Sequence, residues 1–509
     1  MLRPDALLKR DPVSVPAAMQ PALTMVPIIV VAKMTGIRNP EKSVSLNNLQ
    51  NQESHREQMS EARYRNMTES PVGHLVVTLG IPSIISMLMT NLYNLADTTF
   101  VGRLDTSASG AIGIVFSYMV FLQAVGFMFG QGSGSKISRS LGERDPGHAT
   151  RIASTGFLSA VGFGLLFGAG SLLFLDPLLR FLGSTETILP YARDYIRFIA
   201  AGAPFIVGSF VLNNILRYEG LARKAMAGLV TGAVLNIFLD PLFIFVLKMG
   251  TAGAGLATAL SQLASFCILL SIFLRGKTQS RILLRSGMFR FREMWDIIAL
   301  GSPSLIRQAC NGVAAIFLNH SAALYGDAAV AAMAIVGRVS HFTFAIGVGL
   351  GQGYQPVAGF NYGARKWDRL RAAYRFTLMT SLGVMFVSCL ALLFPAEAIV
   401  RFFRDDPAVV AIGTPALRYA AVALMTQPVA VLANMTLQAT GKALEASILA
   451  MLRSGLYFVP ILLLFEHAFG VVGIELAQPV ADVLSMLTSI PFILIFFRRL
   501  GCPNKSINH

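Results

Sequence analysis

The chain predicts an all-α polytopic membrane protein: twelve transmembrane helices in two six-helix lobes, related by a pseudo-two-fold axis along the membrane normal. Three observations predict it. Of 509 residues, 54% are hydrophobic and only 14% are charged, and mean hydropathy is +0.60; that balance belongs to a lipid-embedded chain. Apolar runs long enough to span a bilayer, about 20 residues each, recur twelve times along it. The second half of the chain also rhymes with the first at one constant offset, the one that carries Pro82 onto Pro303.

The runs lie at 75–99, 108–133, 152–175, 189–215, 222–247, 251–274, 296–320, 329–355, 373–394, 408–437, 444–466 and 470–497. Residues 1–70 precede them and are polar, low in aromatics and dotted with prolines, which predicts a disordered cytoplasmic tail. Its apolar patch Val26–Ala32 is too short to cross a bilayer. Asp5 and Asp11 ahead of that patch argue against a signal peptide. The expected divisions are then an N-lobe at 71–275, a cytoplasmic inter-lobe linker at 276–295, a C-lobe at 296–497 and a cytoplasmic tail at 498–509. Cys267, Cys310, Cys389 and Cys502 are scattered, forming neither a disulfide framework nor a metal site.

The net charge of +15 follows topology. The loops after spans two, four, six and eight are rich in Lys and Arg, for example Lys136, Arg144, Arg217, Arg223, Arg281 and Arg365. The alternate loops hold few, such as Arg103 and Lys248. Under the positive-inside rule the rich loops and both termini are cytoplasmic. The basic excess therefore does not call for nucleic acid. Ser271–Thr278 ends like a phosphate-binding loop, but Ser271 stands where a glycine is needed and no strand precedes it. No nucleotide is expected.

The repeat runs through the spans in order. Pro82 in span one pairs with Pro303 in span seven, and Gly130-Gln131-Gly132 in span two with Gly351-Gln352-Gly353 in span eight. Gly142 and Arg144 pair with Gly363 and Arg365, Asn213 with Asn434, and Gly220 with Gly441. Six spans per repeat return the chain to its starting side, so the halves share one orientation. That is the parallel-repeat plan of secondary transporters, which place the substrate site between the halves.

An acid inside a span is a functional-site hypothesis because a carboxylate is costly in hydrocarbon. Span one carries Asp97 near its outer end and a bend-forming Pro82 near its start. Span five carries Asn236 and Asp240 four residues apart, on one helix face. Counting along the helices, Tyr195 of span four and Thr258 of span six reach the same outer depth. These five groups are the expected ion-coupling site. Paired carboxylates there carry H⁺, or with neighbouring oxygens coordinate a bare cation such as Na⁺. Carried into the second half, the positions of Asp97, Asn236 and Asp240 fall on Leu318, Tyr457 and Ile461. The scaffold is thus duplicated and the acids are not. The second half instead holds Arg307, Gln308, Asn311, His341 and Asp482, among others. Tyr93, Asn94, Phe127, Met128, Gln131, Asn213 and Asp482 are the expected cavity-lining residues, because flexible and aromatic side chains suit promiscuous apolar ligands.

With these motifs in view, the sequence resembles the MATE (multidrug and toxic-compound extrusion) exporters, nearest to the MepA-like and DinF-like bacterial branch. The residues that carry the resemblance are Leu92–Gly102, Leu141–Asp145, Leu235–Pro241 and Phe360–Arg365, and it covers about residues 70–500. It implies a secondary active antiporter, not an enzyme. Such a protein exports small, often cationic and amphipathic compounds across the bacterial inner membrane in exchange for H⁺ or Na⁺, with no other cofactor and as a monomer. It also implies a first-lobe ion site at Asp97, Asn236, Asp240, Thr258 and Tyr195, and a bending proline at Pro82. The helix-seven acid of the NorM branch has no counterpart around Arg307-Gln308, so no second-lobe site of that type is implied. The alternative is a lipid-linked oligosaccharide flippase or polysaccharide exporter of the same superfamily. Its cargo calls for several cavity-facing arginines in the first half, where Arg197 is the main candidate.

Overall fold

The computed structural model describes residues 58–102, 104, 106–283 and 288–500. Of the tail expected to be disordered over 1–70, residues 58–69 are instead helical, with Met67 and Thr68 buried and Asn361 Nδ2 donating to Met67 O at 3.2 Å. Residues 1–57, and the C-terminal tail from 501 onward, lie outside the described residues. The elements are α1 (Val72–Val101), α2 (Thr106–Gly142), α3 (Pro146–Leu173), the short α4 (Leu175–Phe181), α5 (Leu189–Tyr218), α6 (Ala222–Pro241) and α7 (Gly250–Leu274). The second series is α8 (Phe291–Ala323), α9 (Asp327–Gly363), α10 (Trp367–Leu393), the short α11 (Ala396–Phe403), α12 (Pro407–Ala423), α13 (Gln427–Ala439), α14 (Ala443–Met451), α15 (Phe458–Phe469) and α16 (Val471–Arg499). Several partners begin at positions related by the repeat offset: α2 with α9, α3 with α10, and α4 with α11.

Among the described residues, ten helices are long and apolar enough to cross a membrane, and α12 with α13 makes an eleventh span broken by 49°. The twelfth expected span is α8. It is 33 residues long but carries Glu293, Asp296, Arg307 and His320, so it lacks a wholly apolar window. Its place opposite α1 in the repeat completes two sets of six. It also begins at Phe291, ahead of the expected position 296.

Local chemistry explains the helix ends. Asp145 caps α3, accepting from the His148 amide at 2.8 Å, with Pro146 at the first helical position. Asp406 and Pro407 do the same for α12. The repeat is written into the C-terminal caps as well. The Asp145 amide donates to Ser140 O at 2.8 Å and the Lys366 amide to Asn361 O at 2.8 Å, each closing a helix past an arginine with positive φ (Arg144, 61°; Arg365, 55°). Gly220 (φ 80°) and Gly441 (φ 90°) close α5 and α13 in the same way. Asn213 Nδ2 donates to Ala225 O at 2.9 Å, and its counterpart Asn434 to Ala446 O at 2.5 Å.

The halves meet along two glycine crossings that are also related by the offset. A methyl group on Gly301 of α8 would lie 1.9 Å from Met128 O of α2, and one on Gly353 of α9 would lie 2.4 Å from Gly80 Cα of α1. Lipid provides no hydrophobic drive between helices, so such close backbone approach is what holds membrane helices together. Between the crossings runs a buried polar seam. Ser304 Oγ donates to Gln131 Oε1 at 2.6 Å, Gln438 Nε2 to Leu300 O at 3.1 Å, and Ser135 Oγ to Gln438 O at 2.6 Å. One hydrophobic core runs through the first half and across this seam, whereas a second is confined to residues of the second half.

Candidate ion pocket and central cavity

Four helices bring the five expected groups together. Asp97 sits one turn from the end of α1, and Tyr195 lies in the second turn of α5. Asn236 and Asp240 share a face at the end of α6, and Thr258 faces them from α7. Asp240 is fully buried, and Asn236, Thr258 and Tyr195 are nearly so. Pro241 ends the regular helix directly after Asp240, and a π-helical turn, Leu242–Val246, follows.

Tyr195 Oη donates to Asp97 Oδ2 at 2.5 Å. Asn236 Nδ2 donates to Asp240 Oδ1 at 3.2 Å, with Thr258 Oγ1 at 3.4 Å. The two carboxylates are close enough for their charges to interact. Each bond uses one oxygen of its acceptor. Asp97 Oδ1, Asp240 Oδ2 and Asn236 Oδ1 are buried with no hydrogen-bond partner among the described residues. Buried acceptors are normally satisfied. Three orphan oxygens around two acids form a site whose chemistry fits a proton or a small bare cation.

A central cavity of about 340 Å³ lies between the two halves, its lining overlapping that of the spaces beside the acids. Thr90 and Asn94 of α1 face both spaces. Of the expected cavity residues, Asn94, Phe127 and Asn213 line it. The others do not. Tyr93 turns toward the ion pocket and accepts from Gln123 Nε2 at 3.4 Å. Met128 is buried where its carbonyl abuts Gly301. Gln131 belongs to the polar seam. Asp482 is held by Arg453 at 2.7 Å, Gln427 at 2.9 Å and Gln478 at 2.8 Å. Pro82 is buried within an unbroken α1.

Two arginines change places relative to the sequence reading. Arg197 is half exposed beside Asp194 at 3.4 Å and is not in the cavity lining. Arg217, counted there as a loop charge, is 3% exposed and lines the cavity with Arg307. The signal was available: Arg217 lies four residues after Asn213, on the same face of α5.

Comparison with known proteins bears on the architecture directly. The MatE family model matches residues 82–242 and again 303–463, two equal stretches related by the same offset as the internal repeat. The chain belongs to the MatE family. Among MatE relatives, the multidrug export protein MepA of Staphylococcus aureus (strain NCTC 8325 / PS 47) is 28% identical over 434 residues, covering 85% of this chain and 96% of that protein. MepA of Staphylococcus haemolyticus (strain JCSC1435) is 27% identical over 441 residues, covering 86% and 97%. Among solved MatE-like structures, the outward-facing conformation of a multidrug resistance MATE family transporter of the MOP superfamily superposes with TM-score 0.82 at 27% identity, covering 86% of this chain and 98% of that one. A MOP superfamily transporter from Pyrococcus furiosus, described as having a binding pocket of reverse polarity that suggests a different function, gives 0.81 at 27% identity, covering 86% and 98%. MatE proteins are transporters, not enzymes.

Proposed function

We propose that this protein is a secondary active multidrug exporter, moving amphipathic organic compounds out of the cell by alternating access in exchange for H⁺ or Na⁺. The observation that carries the coupling is the pocket itself: two acids, three orphan oxygens and no second-half counterpart. The names of the MepA relatives support the export of drug-like small molecules. With the arginine-rich loops on the cytoplasmic side, both termini are cytoplasmic and the glycine crossings close the inner end. The cavity lining then rises from Arg217 and Gln352 to Phe116 and Asn94, nearer the outer ends of α2 and α1. That supports an outward-facing state.

In this state the coupling ion enters the Asp97–Asp240 pocket and neutralises it. Asn94 and Thr90, shared between pocket and cavity, transmit the change; α1 bends at Pro82 and cargo leaves outward. The N-lobe and C-lobe then rock to face inward, the ion departs, and cargo is taken up. The protein acts as a monomer in the bacterial inner membrane.

Ethidium efflux from vesicles under an imposed pH or Na⁺ gradient tests this reading. Wild type should follow one gradient, and Asp97→Asn and Asp240→Asn should lose that coupling while still reaching the membrane. Variants that pump like wild type would move the coupling site elsewhere. No efflux from wild type under either gradient would favour the lipid-linked sugar exporter, for which Arg217 and Arg307 are the cavity's relevant charges.

A further inference from the structure

The floor of the central cavity is positively charged. Arg217 reaches it from α5 and Arg307 from α8, one from each half, and their charges are close enough to interact. Arg217 Nη2 donates to Asn214 Oδ1 at 2.7 Å, but its Nε is buried without a hydrogen-bond partner among the described residues. The Arg217 guanidinium packs 5.4 Å from the Tyr218 ring centroid. His341 faces the same space from α9. Among the described residues that line the cavity there is no Asp or Glu. The acids that exist nearby are committed elsewhere. Asp97 and Asp240 sit in the pocket at the ends of α1 and α6, and Asp482 neutralises Arg453, whose guanidinium packs 4.5 Å over Phe344.

Two like charges held together away from water are costly unless something of opposite charge joins them. The guanidinium fork is suited to carboxylate and phosphate oxygens. Above it the walls are apolar and aromatic, with Phe116, Phe127, Phe210 and Phe344. The volume is that of a drug-sized site.

We propose that Arg217 and Arg307 form an oxyanion subsite, and that the preferred cargo is an amphiphile bearing a carboxylate, sulfonate or phosphate, either anionic or zwitterionic, bound ahead of simple organic cations. This deepens the exporter reading and rests on it for the word cargo. The separation of charges is its logic: coupling cations use the acids at the ends of α1 and α6, and the cargo's acid group uses the arginines of α5 and α8.

The test is equilibrium binding of a matched probe pair to the purified full-length protein. Rhodamine B carries a free carboxylate, and its ethyl ester keeps the same ring system but masks that charge with an ethyl group. Wild type should bind the acid more tightly than the ester. Arg307→Gln should shrink that preference by roughly tenfold or more, the scale of one charge-assisted contact, and Arg217→Gln should act in the same direction. Equal affinity of wild type for acid and ester, or no affinity for either, overturns the proposal without needing any variant to fold. An unchanged preference in a folded Arg307→Gln also overturns it. Competition by phosphatidylglycerol but not phosphatidylcholine would assign the oxyanion to a lipid headgroup; competition by neither, with the acid preference intact, would assign it to a small acidic amphiphile. Gradient-driven efflux of rhodamine B measured on the same protein keeps the two readings apart. Efflux without acid preference defeats this inference alone, whereas acid preference without gradient-driven efflux defeats the exporter reading alone.

Discussion

Tyr195 shows how much one hydroxyl does in the ion pocket. Its 2.5 Å bond supplies the hydrogen bond on Asp97 Oδ2, while the other carboxylate oxygen has none among the described residues. Tyr195→Phe leaves that carboxylate without a donor and should cost about 1.5–3 kcal/mol of stability, the worth of a buried bond to a charged group. A lowered thermal unfolding midpoint in detergent would show it; an unchanged midpoint would mean that another donor takes over. The same reasoning separates Asp482 from the pocket acids. Asp482 already has Arg453, Gln427 and Gln478 as partners, so Asp482→Asn should weaken the second half without abolishing gradient dependence. Efflux that loses its gradient dependence in that variant would return Asp482 to the coupling site.

At the scale of elements, the crossings and the linker matter most. The Gly301 crossing leaves no room for a methyl group against Met128 O, and no rotamer change relieves a clash with backbone. Gly301→Ala should destabilise by about 1–3 kcal/mol and, in the proposed orientation, loosen the closure at the cytoplasmic end. The check is increased thiol labelling of a cysteine placed in the seam, added from the cytoplasmic side; unchanged labelling and stability would show that α8 shifts freely.

The linker after α7 is more than a tether. Glu219, just past α5, accepts from the Gln279 and Ser280 amides at 2.9 Å each and from the Ser280 hydroxyl. Ser154 of α3 bonds Arg281 O at 3.2 Å and the Leu283 amide at 3.0 Å. Burial pushes the Glu219 carboxyl above its ordinary range, against these hydrogen bonds. The native state therefore holds the Glu219 proton to higher pH than the unfolded chain. Its contribution to stability is greatest below the ordinary glutamate pKa of about 4.3 and falls as pH rises through the raised native value. Glu219→Gln removes that titration, so the variant's unfolding temperature should drop less than wild type's between pH 5 and pH 8. Parallel pH profiles would show that Glu219 keeps an ordinary pKa.

At the scale of the whole molecule, the two halves share a backbone plan and divide the chemistry. Caps, positive-φ residues and the Asn213/Asn434 bonds recur at matched positions of the repeat. The acid pocket belongs to the first half alone, while the cavity floor draws one arginine from each half. A joint that moves without disturbing either site is expected in such a carrier. Pro82→Ala restores the backbone donor missing from α1 and should slow efflux while ethidium binding is kept. Equal loss of binding and efflux would make Pro82 a packing residue instead.

The linear sequence by itself determined the spans, the duplication and the membership of the acid pocket. Each is carried by local or periodic information: hydropathy over a helix length, a fixed offset, an i, i+4 pair, and depth counted from the regular rise of a helix. Tertiary structure alone decided which side chains face the cavity. Most of these helices are apolar on every side, so no polar stripe marks their inward face, and rotation about the helix axis is set by neighbours such as the glycine crossings. That is why Tyr93, Met128 and Gln131 turn away from the cavity and Asp482 is occupied by Arg453. It is also why Arg217, which looked like one more cytoplasmic charge, stands beside Arg307 on the cavity floor.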